Sequence, residues 1–88
     1  MEVRIGEITH YYNRIGVAVL KLGDRIQVGD MINIVGYTTE FTQRVESLEI
    51  NHQKVESAGP GDDVALKVWD YVRDGDEVFK IVDSGYEK

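Results

Sequence analysis

Histidines and carboxylates are the side chains in this sequence that could do chemistry near neutral pH, and their spacing argues against a reaction centre. The two histidines, His10 and His52, lie far apart with no His-x-x-x-His motif, so the pattern does not indicate a metal site. Asp62, Asp63 and the acidic residues at 70–77 lack the ligand spacing of a calcium-binding loop. We therefore expect no metal and no other cofactor.

Nucleophilic catalysis is not supported by the residue pattern either. The chain has no cysteine, and its serines lie outside any nucleophile-elbow context. Binding is the better prediction, because aromatic side chains beside an exposed loop can anchor a partner. Tyr37 and Phe41 flank such a polar loop at 38–40. We expect a chain that is not an enzyme and that uses these two residues to contact a protein or ribonucleoprotein partner.

Four Gly-Asp pairs predict the turns that position these residues, at 23–24, 29–30, 61–62 and 75–76. Glycine adopts a positive φ without steric cost, and the aspartate side chain accepts hydrogen bonds from nearby backbone N–H groups. The Val- and Ile-rich runs between the turns are short and alternate with polar residues. This pattern predicts about six or seven strands and an all-β fold.

The details of the strands carry further expectations. Under strict alternation, Ile5 and Ile8 face opposite sides of the first strand. A long strand is predicted at 42–50 with a bulge near 46–47, followed by a short crossing at 51–57. Trp69 ends an apolar run and is expected to close the core. A closed barrel is favoured because closure removes exposed strand edges.

Composition places the chain among ordinary globular domains. It has 88 residues, of which 42% are apolar and 30% charged, so one domain is expected at 1–82 with a frayed tail at 83–88. The formal net charge of −6 disfavours generic binding to nucleic acid or anionic membranes. No apolar run approaches the roughly 18 residues of a membrane span. With no cysteine and no signal-peptide layout, a cytoplasmic location is predicted.

The order of the motifs resembles the second domain of translational GTPases such as elongation factor Tu. The segments that carry the resemblance are 16–19, 23–36, 45–50, 55–66 and 72–78. The resemblance implies a small closed six-stranded Greek-key barrel of the translation-protein type. Because the chain has no Gly-x-x-x-x-Gly-Lys phosphate loop, this would be the barrel without its GTPase domain.

The same resemblance implies candidate contact residues. In elongation factor Tu the domain helps to hold the 3′ end of aminoacyl-tRNA, and Glu49 aligns with a glutamate that contacts the terminal adenosine. His52 aligns with an arginine near the RNA. The chain also resembles the C-terminal extension of certain collagenase-like peptidases, which suggests a protein partner.

Three functions follow from these observations. The leading one is a non-catalytic interaction module that docks on a protein or ribonucleoprotein through Tyr37, Phe41, Glu49 and His52. The second is binding of an RNA end, in which Glu49 reads the ribose and Arg44 or Lys54 contacts a phosphate. The third is an accessory barrel of a collagenase-like peptidase system.

Overall fold

A computed structural model of the chain describes residues 1–82, and the tail predicted at 83–88 lies outside this part. The described residues form ten β-strands and no helix, which confirms the all-β fold class. The strands are β1 Glu2–Tyr12, β2 Val17–Leu22, β3 Ile26–Gln27, β4 Met31–Val35, β5 Glu40–Arg44, β6 Leu48–Ile50, β7 Gln53–Val55, β8 Ser57–Ala58, β9 Asp63–Lys67 and β10 Glu77–Ile81. Residues 1–82 thus contain no helix with the length and apolarity needed to span a bilayer.

Eight of the strands form one sheet, in the order β5-β4-β10-β1-β2-β9-β6-β7, and β3 and β8 form a separate two-stranded sheet. All of the strand pairs in residues 1–82 are antiparallel. Strands β5 and β7 lie at the two ends of the large sheet and do not pair with each other. The predicted small closed six-stranded barrel is therefore wrong.

Further backbone hydrogen bonds extend the pairing of β4 with β5 and of β3 with β8. After β5 the chain bonds to the turn before β4 instead of to β7, with Val45 N donating to Asp30 O at 2.8 Å and Gly29 N donating to Val45 O at 2.8 Å. Val28 N donates to Glu56 O at 2.9 Å and so extends the pairing of β3 with β8. These bonds lengthen the β4–β5 and β3–β8 pairings, and β5 and β7 stay unpaired with each other.

A single core lies against one face of all the longer strands. Its members have less than a tenth of their surface exposed and are Ile5, Ile8, Ala18, Leu20, Leu22, Ile26, Ile32, Ile34, Val45, Leu48, Ala58, Val64, Leu66, Val68, Val72 and Val78. Because residues from both sheets share this cluster, the large sheet must curl around it. Burial of this apolar area is the main source of stability.

Gln43 is a buried polar residue whose side chain links β5 to the end of β9. Its side chain is fully buried, although it lies on edge strand β5. The amide nitrogen donates to Lys67 O at 2.9 Å and to Arg44 O at 3.2 Å, and the amide oxygen accepts from Trp69 N at 2.8 Å. One side chain thus joins β5 to the end of β9 where no backbone ladder does so.

Three of the four Gly-Asp pairs form the same turn, as predicted. Gly29, Gly61 and Gly75 have φ of 100°, 92° and 93°, as the third residue of a type II turn requires. In each turn the aspartate after the glycine accepts a hydrogen bond from the backbone N–H three residues earlier. The distances are 2.9 Å for Asp30, 3.0 Å for Asp62 and 2.9 Å for Asp76. Gly23 has no positive φ, and the aspartate that follows it instead caps its own neighbour, Arg25.

Gly61→Val is expected to lower the free energy of unfolding by about 1–3 kcal/mol, because a β-branched residue is strained at this φ. An added Cβ at Gly61 would meet no atom within 4 Å, so backbone strain alone is tested. Thermal denaturation measures the effect. Gly59→Val is the matched control, since Gly59 has equal space and no positive φ. Equal melting temperatures for the two variants would contradict the assignment of the turn.

Strand β1 departs from the predicted alternation because it contains two irregularities. Its register against β10 shifts between Arg4 and Gly6, and its register against β2 shifts between Ile8 and His10. An extra residue reverses the faces of the residues that follow it. Ile5 and Ile8 are consequently both fully buried on the core side, and not on opposite faces as predicted.

The long strand predicted at 42–50 is two strands, since 45–47 belong to neither β5 nor β6. The crossing predicted at 51–57 includes a hairpin between β6 and β7, with a two-residue loop between Ile50 and Gln53. Trp69 is 56% exposed and does not close the core. Its indole nitrogen donates to Glu46 Oε1 at 3.4 Å on the protein surface.

Candidate functional site: an apolar groove on the outer face of the sheet

The five residues predicted to contact a partner lie on separate parts of the surface. Tyr37 is fully exposed in the loop between β4 and β5, and Phe41 is half-buried, packs on the core and lines a cleft beside that loop. Arg44 is exposed at the end of β5. Glu49 and His52 line a second recess together. The fold therefore brings together Glu49 and His52, with Phe41 in a different recess.

The cleft at Phe41 has a volume of about 570 Å³ and an aromatic lining. The rings of Tyr11 and Tyr71 meet edge to face, with centroids 6.1 Å apart at 85°. Burial raises the pKa of the Tyr11 hydroxyl, and the neighbouring Tyr71 and Asp70 raise this pKa further. Tyr11 is therefore a neutral hydrogen-bonding group at physiological pH.

The recess at Glu49 and His52 is a groove of about 660 Å³ on the outer face of β2, β9 and β6. Its floor is apolar and consists of Val17, Val19 and Ala65. These side chains are half-buried and point outward, because they alternate with fully buried core residues along their strands. In the register of the sheet, Val19 lies opposite Ala65, and Ala65 lies opposite Glu49.

The turn between β1 and β2 forms one wall of the groove. Gly16 N donates to Tyr12 O at 3.0 Å across this turn, and Gly16 has φ of 67°. Tyr12 and Ile15 line the groove from here, with 50% and 62% of their surface exposed. The Tyr12 ring is held against His10, with ring centroids 4.3 Å apart. Two large apolar side chains are thus displayed in fixed places.

The turn between β6 and β7 forms another wall. Its two residues, Asn51 and His52, have φ of 52° and 65°, which is the mirror-image geometry that suits the twist of a tight hairpin. Residues other than glycine rarely adopt a positive φ, but asparagine and histidine are among the types enriched there. The sequence did signal a turn through Asn51, yet the usual glycine in second place is missing. This hairpin places His52 beside the groove.

The charged residues of the groove stand around its apolar floor. Glu49 is half-buried. It takes part in no ion pair within residues 1–82, since both ion pairs there are formed by Arg4. Lys67 lies opposite Val17 toward one end of the groove, and Asp63 lies opposite Lys21 toward the other. Lys54 lies opposite Glu49 in the β6–β7 ladder but forms no ion pair with it, so the Glu49 carboxylate is open to a hydrogen bond from a positively charged or N–H-bearing group.

The lining of the groove combines apolar side chains with charged ones. Within residues 1–82 no group of three or more histidines, aspartates or glutamates is placed to hold a metal ion. Sequence analysis named Glu49 and His52 as contact residues but did not include Tyr12 or Ile15 among them. Their signal was the pair of bulky apolar residues around the polar dipeptide at 13–14. The fold and the groove together define a small all-β domain with a surface suited to a partner.

Comparison with known proteins points to peptidases. Over 84 residues the chain is 34% identical to an uncharacterized protease of Methanocaldococcus jannaschii, an alignment that covers 94% of this chain and 21% of that protein. It is 31% identical over 81 residues to a collagenase of Porphyromonas gingivalis, covering 90% and 20%. The chain thus spans about a fifth of the length of these curated relatives. No family model matches it.

Solved structures show the same fold. The C-terminal domain of a Geobacillus thermoleovorans protein assigned to the U32 peptidases superimposes with a TM-score of 0.84 at 21% identity. The match covers 89% of this chain and 91% of the solved one. A selenomethionine form of the same domain superimposes with a TM-score of 0.81. A domain of this fold and size is therefore known as an isolated chain.

These findings correct the identification made from the sequence. The resemblance to the second domain of elongation factor Tu is wrong as an assignment, because the relatives are a protease and a collagenase and the matching structures are a peptidase domain. The reason for the error is that turn motifs such as the Gly-Asp pairs report backbone geometry, which unrelated functions share. The resemblance to the extension of collagenase-like peptidases is the one that the comparisons support.

Proposed function

We propose that this chain is a non-catalytic accessory domain of a collagenase-like peptidase and corresponds to the C-terminal domain of such an enzyme. The observation that carries the proposal is the extent of the matches. The chain covers 91% of an isolated peptidase C-terminal domain but only 20–21% of its longer relatives. The matched segment is therefore a small part of each longer relative, and in this proposal it supports the chemistry of the enzyme without performing it.

The residues of the chain support a binding role. The recesses at Phe41 and Glu49 combine aromatic and aliphatic side chains with polar and charged ones, and the chain has no cysteine to serve as a nucleophile. Its partner in this proposal is a protein, since the net charge of −6 opposes binding to a polyphosphate. Contacts through Tyr37, Phe41 and Arg44 and a cytoplasmic location remain predictions.

The P. gingivalis collagenase provides the test of this proposal. Removing the segment that matches this chain is expected to lower hydrolysis of denatured collagen by about tenfold, equivalent to ~1.4 kcal/mol in the activation barrier. Adding the separate segment back is expected to restore part of the rate. The present chain alone is expected to cleave no denatured collagen in the same assay.

Heat-denatured segment serves as the control for the add-back experiment and is expected to restore nothing. Circular dichroism on the shortened enzyme shows whether it is still folded. Cleavage by the present chain alone would overturn the non-catalytic assignment. Unchanged hydrolysis after removal of the segment would overturn the accessory role.

A further inference from the structure

We propose that the groove between the two hairpin turns, defined by Tyr12, Ile15, Val19, Glu49 and Ala65, is the surface that docks on the peptidase part of the enzyme. It takes a segment that carries an aliphatic or aromatic side chain next to a lysine or arginine. The inference rests on the proposed function for the identity of the partner. The chemistry of the segment is argued from the groove itself.

The apolar part of the occupant follows from the floor and the wall. The outer face of a curled sheet is normally polar, yet β2 and β9 place Val17, Val19 and Ala65 there. Tyr12 and Ile15 add exposed apolar surface at one side. A volume of about 660 Å³ is within the usual range for a binding recess. Covering this surface removes apolar area from water, which favours association.

The basic part of the occupant follows from Glu49. The backbone of Glu49 lies at the end of the row formed with Val19 and Ala65, two strand spacings or about 10 Å from the backbone of Val19. Two neighbouring long side chains of one bound segment span this distance, one contacting the apolar row and the other contacting Glu49. Lys54 is the cross-strand partner of Glu49 but is not within ion-pair distance of it. An incoming lysine or arginine supplies the missing cation.

A protein is favoured over a nucleic acid as the occupant by charge. The chain carries sixteen acidic and ten basic residues, and the groove itself contains two carboxylates, Glu49 and Asp63, against one lysine, Lys67. Phosphate groups would be repelled here. The relatives are about five times longer than the matched segment, so most of each relative is available as a docking partner for such a domain.

Nuclear magnetic resonance can locate the docking surface. The full 88-residue chain, labelled with nitrogen-15, is titrated with the M. jannaschii relative from which the matching segment has been removed. The backbone signals of Val17, Val19, Glu49 and Ala65 are expected to shift or broaden first. The domain can be handled alone because its structural match is an isolated domain of nearly equal length.

Two variants with matched controls test the chemistry of the groove. Glu49→Gln keeps the shape but removes the charge and is expected to weaken binding about tenfold, whereas Glu56→Gln, at an exposed position outside the groove, leaves it unchanged. Ile15→Ser is expected to weaken binding by a similar factor. Ile81→Ser is its control, since Ile81 is an exposed isoleucine that does not line the groove.

The possible outcomes separate the two proposals. If binding shifts the signals of another face and is not weakened by Glu49→Gln, the docking groove is overturned but the accessory role still stands. No binding, together with full activity of the shortened P. gingivalis enzyme, would overturn both. Perturbation of the groove by a single-stranded RNA ending in CCA, with none by the shortened protease, would assign the groove to nucleic acid and overturn the inference.

Discussion

Gln43→Ala is expected to lower the free energy of unfolding by about 3 kcal/mol. The side chain is fully buried and makes three hydrogen bonds, to Lys67 O, Arg44 O and Trp69 N. Alanine would leave a cavity in the core and would deprive the Trp69 N–H of its acceptor. Because two of these bonds join edge strand β5 to the end of β9 and to Trp69, the loss is also expected to loosen β5 before the rest of the fold.

Urea denaturation measures the effect of Gln43→Ala. The midpoint is expected to fall while the slope of the transition stays the same, since the surface exposed on unfolding hardly changes. Gln53→Ala makes the same chemical change at an exposed position on β7 and is expected to shift the midpoint little. Gln43→Leu keeps most of the volume and isolates the hydrogen bonds. Equal stability of the Gln43 and Gln53 alanine variants would show that the Gln43 hydrogen bonds do not hold β5 against the end of β9.

Gly6→Val is expected to be the most damaging single change, with a loss of at least about 3 kcal/mol or failure to fold. Gly6 is buried in β1 and pairs with Leu22 on one side and Val78 on the other. A Cβ at this position would overlap the backbone carbonyl oxygen of Lys21 and lie 3.0 Å from Leu20 Cδ1. A backbone oxygen within a sheet cannot move aside as a flexible side chain can.

Gly23→Val is the matched control for Gly6→Val. Gly23 is exposed, has no positive φ, and offers open space to an added Cβ. Its variant is expected to melt within a few degrees of the parent chain, since ~1 kcal/mol corresponds to about 4–8 °C in a domain of this size. Signal dispersion in an amide spectrum reports directly on folding. A well-folded Gly6→Val protein would contradict the close approach of β1 and β2.

The local geometry of the chain was largely predictable from its sequence. The φ of Gly29, Gly61 and Gly75 and the aspartate bonds that follow them were predicted correctly, because glycine and aspartate specify such turns through their own chemistry. The all-β class was predictable for a related reason, since alternating Val- and Ile-rich runs suit a pleated surface. Neither inference needed to know what lies across the core.

The faces of β1 were not predictable in the same way. One extra residue between Arg4 and Gly6 puts Ile5 and Ile8 on the same side, and the pattern of residue types carries no mark of it. Strands of two or three residues, such as β3 and β8, are likewise too short to show a period. Their pairing places them in a sheet of their own, which the residue pattern did not indicate.

The candidate site was predicted only in part. Glu49 and His52 were named from a resemblance whose functional meaning was wrong, yet the fold does place them in one groove. Tyr12 and Ile15 were missed because exposure of an apolar residue depends on which neighbours cover it. Trp69 is the opposite case. Its position at the end of an apolar run predicted burial, but 56% of its surface is exposed.

What the sequence by itself determined about this protein is local: the positions of the turns, the strand-forming runs, the absence of a thiol nucleophile and the acidic charge. These properties follow from each residue and its immediate neighbours. The tertiary structure alone decided that the sheet stays open, that Gln43 links β5 to the end of β9, and that two distant hairpins flank an apolar groove. Such features arise from contacts between segments far apart in the chain, and a bulge or a two-residue strand is enough to change them.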